Sequence, residues 1–236
     1  MSNTNTAPTA PFRPIDFRRG RITVAPNGRH LVQYDGTPFF YLGDTAWELL
    51  HRLSRPEIDS YLANRAAKGF TVAQVVVLGE IDGLTTPNAE GELPLIDLDP
   101  TQPNPRYFAL LDYLVEQAER VGMCVAVLPT WGAYTVEEKH VLFEDHLLFN
   151  PDNAYVYGRF FGQRYAESPN IIWVLGGDRS PAGVEAMWHA MARGITEAVT
   201  QVEPRYPPLM TYHPYGGHSS SEWMHDAPWL SFNMLQ

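Results

Sequence analysis

Apolar positions along this chain fall into two alternating kinds of run. Short stretches in which nearly every residue is apolar read as buried strands: Phe39–Gly43, Thr71–Leu78, Met123–Pro129, Ile171–Gly176, Pro208–Tyr212 and Trp229–Met234. Between them apolar residues recur three and four positions apart, the spacing of one helix face. Ser54-Arg55-Pro56-Glu57 has the form of a capping box with proline in the first turn; Ile58, Leu62 and Ala66 follow at helical spacing, and Gly69 is placed to stop the helix. A second helix opens at Asn104-Pro105 and carries Phe108, Leu111, Val115 and Ala118 before Gly122. A third opens at Asn150-Pro151 and runs through Val156 and Phe160, and a fourth carries Val184, Met187, Met191 and Ile195. All four stripes are expected to face the core.

Ahead of these units, Arg21–Val24 and Leu31–Tyr34 are short β-like runs around the turn Pro26-Asn27-Gly28, with Asp35-Gly36 following. They predict an N-terminal β-hairpin layer. Residues 1 to about 17 are Ser/Thr/Asn/Ala/Pro-rich and read as a flexible tail, which leaves residues 18–236 as one domain. Serial alternation of strand and helix predicts an α/β fold with a parallel sheet, either doubly wound or closed into a (β/α) barrel. Two long loops, Gly79 to Asn104 and Trp131 to Asn150, lie where a barrel builds its active site, at the carboxyl ends of its strands.

Composition narrows the function classes. The chain has 236 residues, 44% of them hydrophobic, enough for a sizeable buried core. With 17 Lys+Arg against 27 Asp+Glu the net charge is −10, and the one basic cluster is Arg18-Arg19-Gly20-Arg21. Neither a nucleic-acid partner nor an anionic membrane is expected. No stretch approaches the roughly 20 apolar residues of a membrane helix. The N-terminal residues show neither a basic nor an apolar signal region, so a cytoplasmic location is expected, secretion by another route staying open. The single cysteine, Cys124, sits in the apolar run Met123–Val127, cannot form an internal disulfide, and reads as a core residue. No GxGxxG or P-loop opens a helix, and no Gly-x-Ser-x-Gly is present. The cluster His140, Glu144, Asp145 and His146 has ligand-type residues without an HExxH pattern, so no metal and no other cofactor is expected.

The candidate chemistry lies just past the strand runs: Asp44 and Trp47, Gly79-Glu80, Thr130-Trp131, Gly176-Gly177-Asp178-Arg179, His213-Pro214-Tyr215, and Gln236. In a parallel barrel these positions share one face, so residues far apart in sequence converge on one cleft. Asp178 is the sharpest candidate, either a catalytic carboxyl or the N-cap of the following helix. Trp47, Trp131 and Tyr215 are either platforms for the C–H face of a sugar or packing residues. His213 is either an acid/base or hydroxyl-binding group, or a structural histidine.

Together, the runs Phe39–Trp47, Trp173–Asp178, Thr211–Pro214 and Phe232–Gln236 make the chain resemble the apiosidase-like proteins of glycoside hydrolase family 140, over roughly Gly20 to Gln236. The resemblance implies a (β/α)₈ TIM-type barrel and a plant cell-wall pectic glycan, in which apiose links a side chain to the backbone, as substrate. It implies Asp178 as general acid/base, with Asp44, Trp47, Trp131, His213 and Gln236 lining sugar subsites. The partner, a Glu nucleophile, is expected after a seventh strand, beyond Gln236. The chain would then be a barrel truncated after its sixth strand, inactive by itself, with open sheet edges that favour association. A non-catalytic carbohydrate-binding barrel stays open as the alternative.

Overall fold

Five of the six strand-like runs form one parallel sheet in the computed structural model, which describes residues 14–136 and 147–236. The hairpin layer comes first, with β1 (Thr23–Val24) antiparallel to β2 (Leu31–Val32). Then follow β3 (Gly43–Thr45), α1 (Leu49–Arg52), α2 (Arg55–Ala67), β4 (Val72–Val76), α3 (Pro105–Arg120), β5 (Cys124–Leu128) and α4 (Pro151–Tyr165). The chain continues with β6 (Ile171–Gly176), α5 (Glu185–Val202), β7 (Met210–His213) and α6 (Ser221–Met224). The sheet order is β3-β4-β5-β6-β7, each strand parallel to its neighbour.

The helix signals act through identifiable bonds. At α2 the Ser54 N–H donates to Glu57 Oε2 at 2.8 Å, closing the capping box. At α3 the Asn104 side chain accepts from the Arg106 N–H at 3.1 Å, and at α4 the Asn150 side chain accepts from Asp152 and Asn153. Phe108, Leu111, Val115 and Ala118 are all buried, as are Met187, Met191 and Ile195, while Val184 packs half-buried ahead of α5. The stripe expected on α4 is corrected in part: Phe160 packs on the core, against Phe108 of α3 at 4.7 Å, but Val156 is 45% exposed, and the fully buried face is Ala154, Tyr157 and Phe161. Tyr157 and Phe161 stack edge to face at 4.9 Å, and Phe161 meets Trp173 of β6 at 5.7 Å. Aromatic area thus chose the face, one position round from the aliphatic residue.

Helices α4 and α5 cross closely because Gly158 and Gly194 lack side chains. A Cβ at Gly158 would strike the Met191 carbonyl, and one at Gly194 would strike that of Tyr155. Both obstacles are backbone and cannot rotate away. Gly158→Val is therefore expected to lower stability by about 2 kcal/mol or more, the scale of core overpacking. Chemical denaturation checks it, and an unchanged midpoint would contradict this packing.

Three further expectations are corrected. Residues 1–17 were expected to be a tail, yet Ile15 and Phe17 are buried in the main core. The Ile15 N–H donates to the Gly122 carbonyl, where a Cβ on residue 122 would come within 2.5 Å of Pro14. The first strand lies at Gly43–Thr45, past most of the run Phe39–Gly43; Phe39 instead ties to the hairpin through its N–H to the Leu31 carbonyl at 2.8 Å. Trp229–Met234 forms no strand. The Ser231 N–H does reach the Met210 carbonyl of β7 at 2.8 Å. The Thr211 hydroxyl then donates to the Phe232 carbonyl, and Met234–Gln236 pair antiparallel with residues 217–220 through the Ser219–Leu235 bridge, which turns the segment off β7.

Sheet register decides what faces the site. Thr45, Gln74, Ala126 and Ile172 lie in one row toward the barrel axis, and Asp44, Ala73, Val125 and Ile171 lie in the next, toward the helices. Cys124 is buried as expected, and burial pushes its thiol well up. The cluster His140, Glu144, Asp145 and His146 lies outside the described residues. Among the described residues no helix is long and apolar enough to cross a membrane.

Candidate active site

The carboxyl ends of β3 to β7 bring Trp47, Glu48, Glu80, Trp131, Asp178 and His213 together. Ring centroids of Trp47 and Trp131 are 5.7 Å apart, those of Trp47 and His213 5.4 Å, and those of Trp131 and His213 6.1 Å. His213 Nδ1 lies 3.6 Å from Asp178 Oδ1, beyond hydrogen-bonding distance. Both atoms are buried without a hydrogen-bond partner among the described residues, and so are Trp131 Nε1 and Glu48 Oε1. A folded chain rarely leaves buried polar atoms unpaired. Four of them around one cleft mark a place built to receive polar groups.

The turn that carries Asp178 is unusual backbone. Gly176, Gly177 and Asp178 have φ of 93°, 123° and 53°, three successive residues in the region that favours glycine. The glycines are needed for close approach as well: a Cβ at Gly177 would lie 2.7 Å from Trp131 Cε3, and one at Gly176 would strike the His213 carbonyl. Asp178 pays the steric cost of a left-handed backbone without being glycine, which is characteristic of functional turns. The capping alternative falls away, because α5 starts at Glu185 with Val184 at its N-cap and no side-chain cap bond.

Electrostatics sort the titratable groups. Burial holds His213 below the usual histidine range, with the Asp178 charge pulling the other way. Burial, with Glu48 and Asp178 facing it, pushes the Glu80 carboxyl up to about 7 from an ordinary 4.5, against the pull of Arg179. A carboxyl raised in this way stabilises the fold while it holds its proton; the contribution is complete below about 4.5 and is lost as pH climbs through about 7. Glu80→Gln keeps the neutral form at every pH. The variant is expected to match the wild type in melting temperature in acid and to exceed it above pH 7. Curves that stay parallel across that range would contradict the assignment. Behind Glu80, Glu48 meets His51 Nδ1 at 3.1 Å, and Arg52 reaches Asp82 at 2.6 Å and Glu48 at 3.4 Å. The Arg52 guanidinium supplies the positive charge among these side chains, and the group is an ion-pair network.

The residues singled out from sequence divide clearly. Trp47, His213 and Gln236 line a cavity of about 520 Å³, with Tyr41, Thr45, Gln74 and the 232–235 segment. Asp178 adjoins His213 beside it. Trp131 belongs to the cluster but is fully buried, so it is the packed floor of the site and offers no face to a sugar. Asp44 is corrected: it lies within β3 on the helix side, where Tyr61 donates to its carboxylate at 2.7 Å and Arg65 pairs with it. Tyr215 stacks on His218 at 4.0 Å, away from the cluster. Glu80, at a strand end as Asp178 is, was legible as candidate chemistry by that position, whereas Glu48, one residue past Trp47, was not.

Solved structures share this architecture. A glycoside hydrolase family 5 protein from Bacteroides vulgatus superposes with a TM-score of 0.80 at 32% identity, over 94% of this chain and 46% of its own. A second structure, described as a glycoside hydrolase, gives 0.78 at 33%, over 94% and 47%. The family 5 mannosidase from Rhizomucor miehei, at 15% identity and a TM-score of 0.58 over 82% of this chain, shares the fold. The chain thus spans about half the length of the first two structures. No curated protein matches it. The fold is therefore α/β of the (β/α)-barrel kind, open between β3 and β7 among the described residues. Residues 25–236 match the apiosidase-like catalytic domain, and by that match the chain belongs to the apiosidase-like family.

Proposed function

We propose that this chain carries part of the catalytic machinery of a glycoside hydrolase acting on plant cell-wall pectic glycans, apiose-containing ones included. In this reading Asp178 is the general acid/base, protonating the glycosidic oxygen as the bond breaks and activating water afterwards. The observation that carries the reading is Asp178 itself: a carboxyl at the end of β6, on a left-handed backbone, with Oδ1 buried, unpartnered and 3.6 Å from His213. Trp47 and Gln236 border the sugar-sized cavity, and neutral His213 serves a substrate hydroxyl. Glycoside hydrolysis needs a second carboxyl about 5 Å from the first in a retaining enzyme. That partner, a Glu, is supplied in this proposal by polypeptide that pairs with the open edges of β3 and β7.

Substrate class is tested by incubating a barrel-closed form of the protein with pectic polysaccharide, mannan and cellulose, and measuring new reducing ends. Release from pectic polysaccharide alone is expected. Release from mannan or cellulose with none from pectin would overturn the substrate assignment.

A further inference from the structure

His213 Nδ1 and Asp178 Oδ1 face each other across 3.6 Å, and each is buried without a hydrogen-bond partner among the described residues. The two side chains differ in freedom. That of His213 is 7% exposed, with its ring edge-on to Trp47 at 5.4 Å and against Trp131 at 6.1 Å. Its backbone is fixed as well: the Gly177 N–H donates to the His213 carbonyl at 3.0 Å, and a side chain at residue 176 would strike that same carbonyl. The Asp178 side chain is 38% exposed although Oδ1 is covered, so Oδ2 is the oxygen that opens to the cleft. Burial favours the neutral imidazole of His213, which carries one ring proton. Beside a carboxyl oxygen that proton belongs on Nδ1, because the other tautomer sets a nitrogen lone pair against those of Oδ1. At 3.6 Å the contact is not a hydrogen bond. Catalytic hydrogen bonds are often long in free enzymes and tighten when substrate binds.

We propose that His213 is a positioning residue acting through Asp178: its Nδ1–H holds Oδ1 when a glycan fills the cleft, which leaves Oδ2 as the oxygen that carries the catalytic proton. Delivery of that proton rests on the hydrolase reading, whereas orientation of the carboxyl by the imidazole is a property of this chain. No proton passes between the two side chains. In the step, the C–O bond breaks with its electron pair on the glycosidic oxygen, which takes the proton from Oδ2; water that completes hydrolysis returns one to the same atom. Nδ1 donates and Oδ1 accepts throughout. The movement that closes the contact is a turn of the Asp178 side chain, since the His213 ring is packed against two tryptophans. Nε2, bare in this tautomer, is left to accept from a substrate hydroxyl at the cavity that His213 borders. The ring that aims the acid thus also reads the sugar, and it selects a hydroxyl able to donate.

The first test is nitrogen-15 NMR of labelled histidine in residues 1–236, with the His213 signal identified by its absence from His213→Asn. The wild type is expected to show a neutral ring with its proton on Nδ1. Asp178→Gly, which suits the left-handed backbone at residue 178 and removes the acceptor, should shift that tautomer toward Nε2–H. A proton on Nε2 in the wild type, or a tautomer that ignores Asp178→Gly, would overturn the inference. The second test is kinetic, in a barrel-closed form. Asparagine sets an amide N–H where Nδ1 stands, while phenylalanine fills the place of the ring and donates nothing. Both lack Nε2 and should raise KM alike. His213→Phe should lower kcat by roughly 10²-fold, the scale of a misplaced catalytic group, and His213→Asn should recover most of that loss. A purely structural histidine predicts the opposite order, phenylalanine active and asparagine impaired, and that order would count equally against the inference. A tautomer that answers to Asp178→Gly in a protein hydrolysing no glycan would keep the orientation and lose the hydrolase reading. Hydrolysis by His213→Phe with kcat within a few-fold of wild type would do the reverse.

Discussion

Asp178→Asn is expected to reduce turnover on unactivated glycans by at least roughly 10²-fold in a barrel-closed form of the protein, the usual scale of general-acid catalysis. That is about 2.7 kcal/mol of transition-state stabilisation. The fold should survive the change. No helix depends on Asp178 for its cap, because Val184 holds that place for α5, and asparagine tolerates the left-handed backbone at residue 178 at least as well as aspartate. Melting temperature and turnover therefore separate the roles: an acid/base residue loses rate with stability intact. Activity within a few-fold of wild type would return Asp178 to a structural part.

Trp131→Ala carries the largest expected effect on stability. Trp131 is fully buried, with Trp47 and His213 against it and the Gly177 backbone close enough that no side chain fits there. Truncating a buried tryptophan typically costs about 3–5 kcal/mol. Small domains have about 5–15 kcal/mol in all, so the variant should denature at markedly lower urea concentration. The same measurement distinguishes a floor from a sugar platform. A platform with its face in solvent would leave the denaturation midpoint unchanged and weaken glycan binding alone.

Alternation of apolar runs with helical spacing was enough to read the parallel sheet, the α2 capping box and the asparagine caps of α3 and α4, because those signals are local. Side-chain parity in the first strand was not legible. Placing the strand end at Gly43 rather than Thr45 put Asp44 in the cleft, whereas in the observed register it faces α2 and pairs with Arg65. A short strand gives too few alternations to fix its phase. Trp229–Met234 has strand composition, but Thr211 and the 217–220 segment claim its backbone groups, which only tertiary placement could reveal. Glu80 was legible as a polar residue past the second strand run, but its raised proton affinity was not. That affinity comes first from burial and then from Glu48 and Asp178, 32 residues before it and 98 after it, and no local pattern encodes that meeting.

The central claim, that Asp178 is half of a hydrolytic carboxyl pair whose other half comes from polypeptide closing the sheet, has one most direct measurement. Residues 1–236 and a form lengthened by further strand–helix units are assayed side by side for release of reducing ends from pectic polysaccharide. The account predicts release by the lengthened form, abolished by replacing a Glu in the added units, and none by residues 1–236. Full hydrolytic activity from residues 1–236 alone would contradict it.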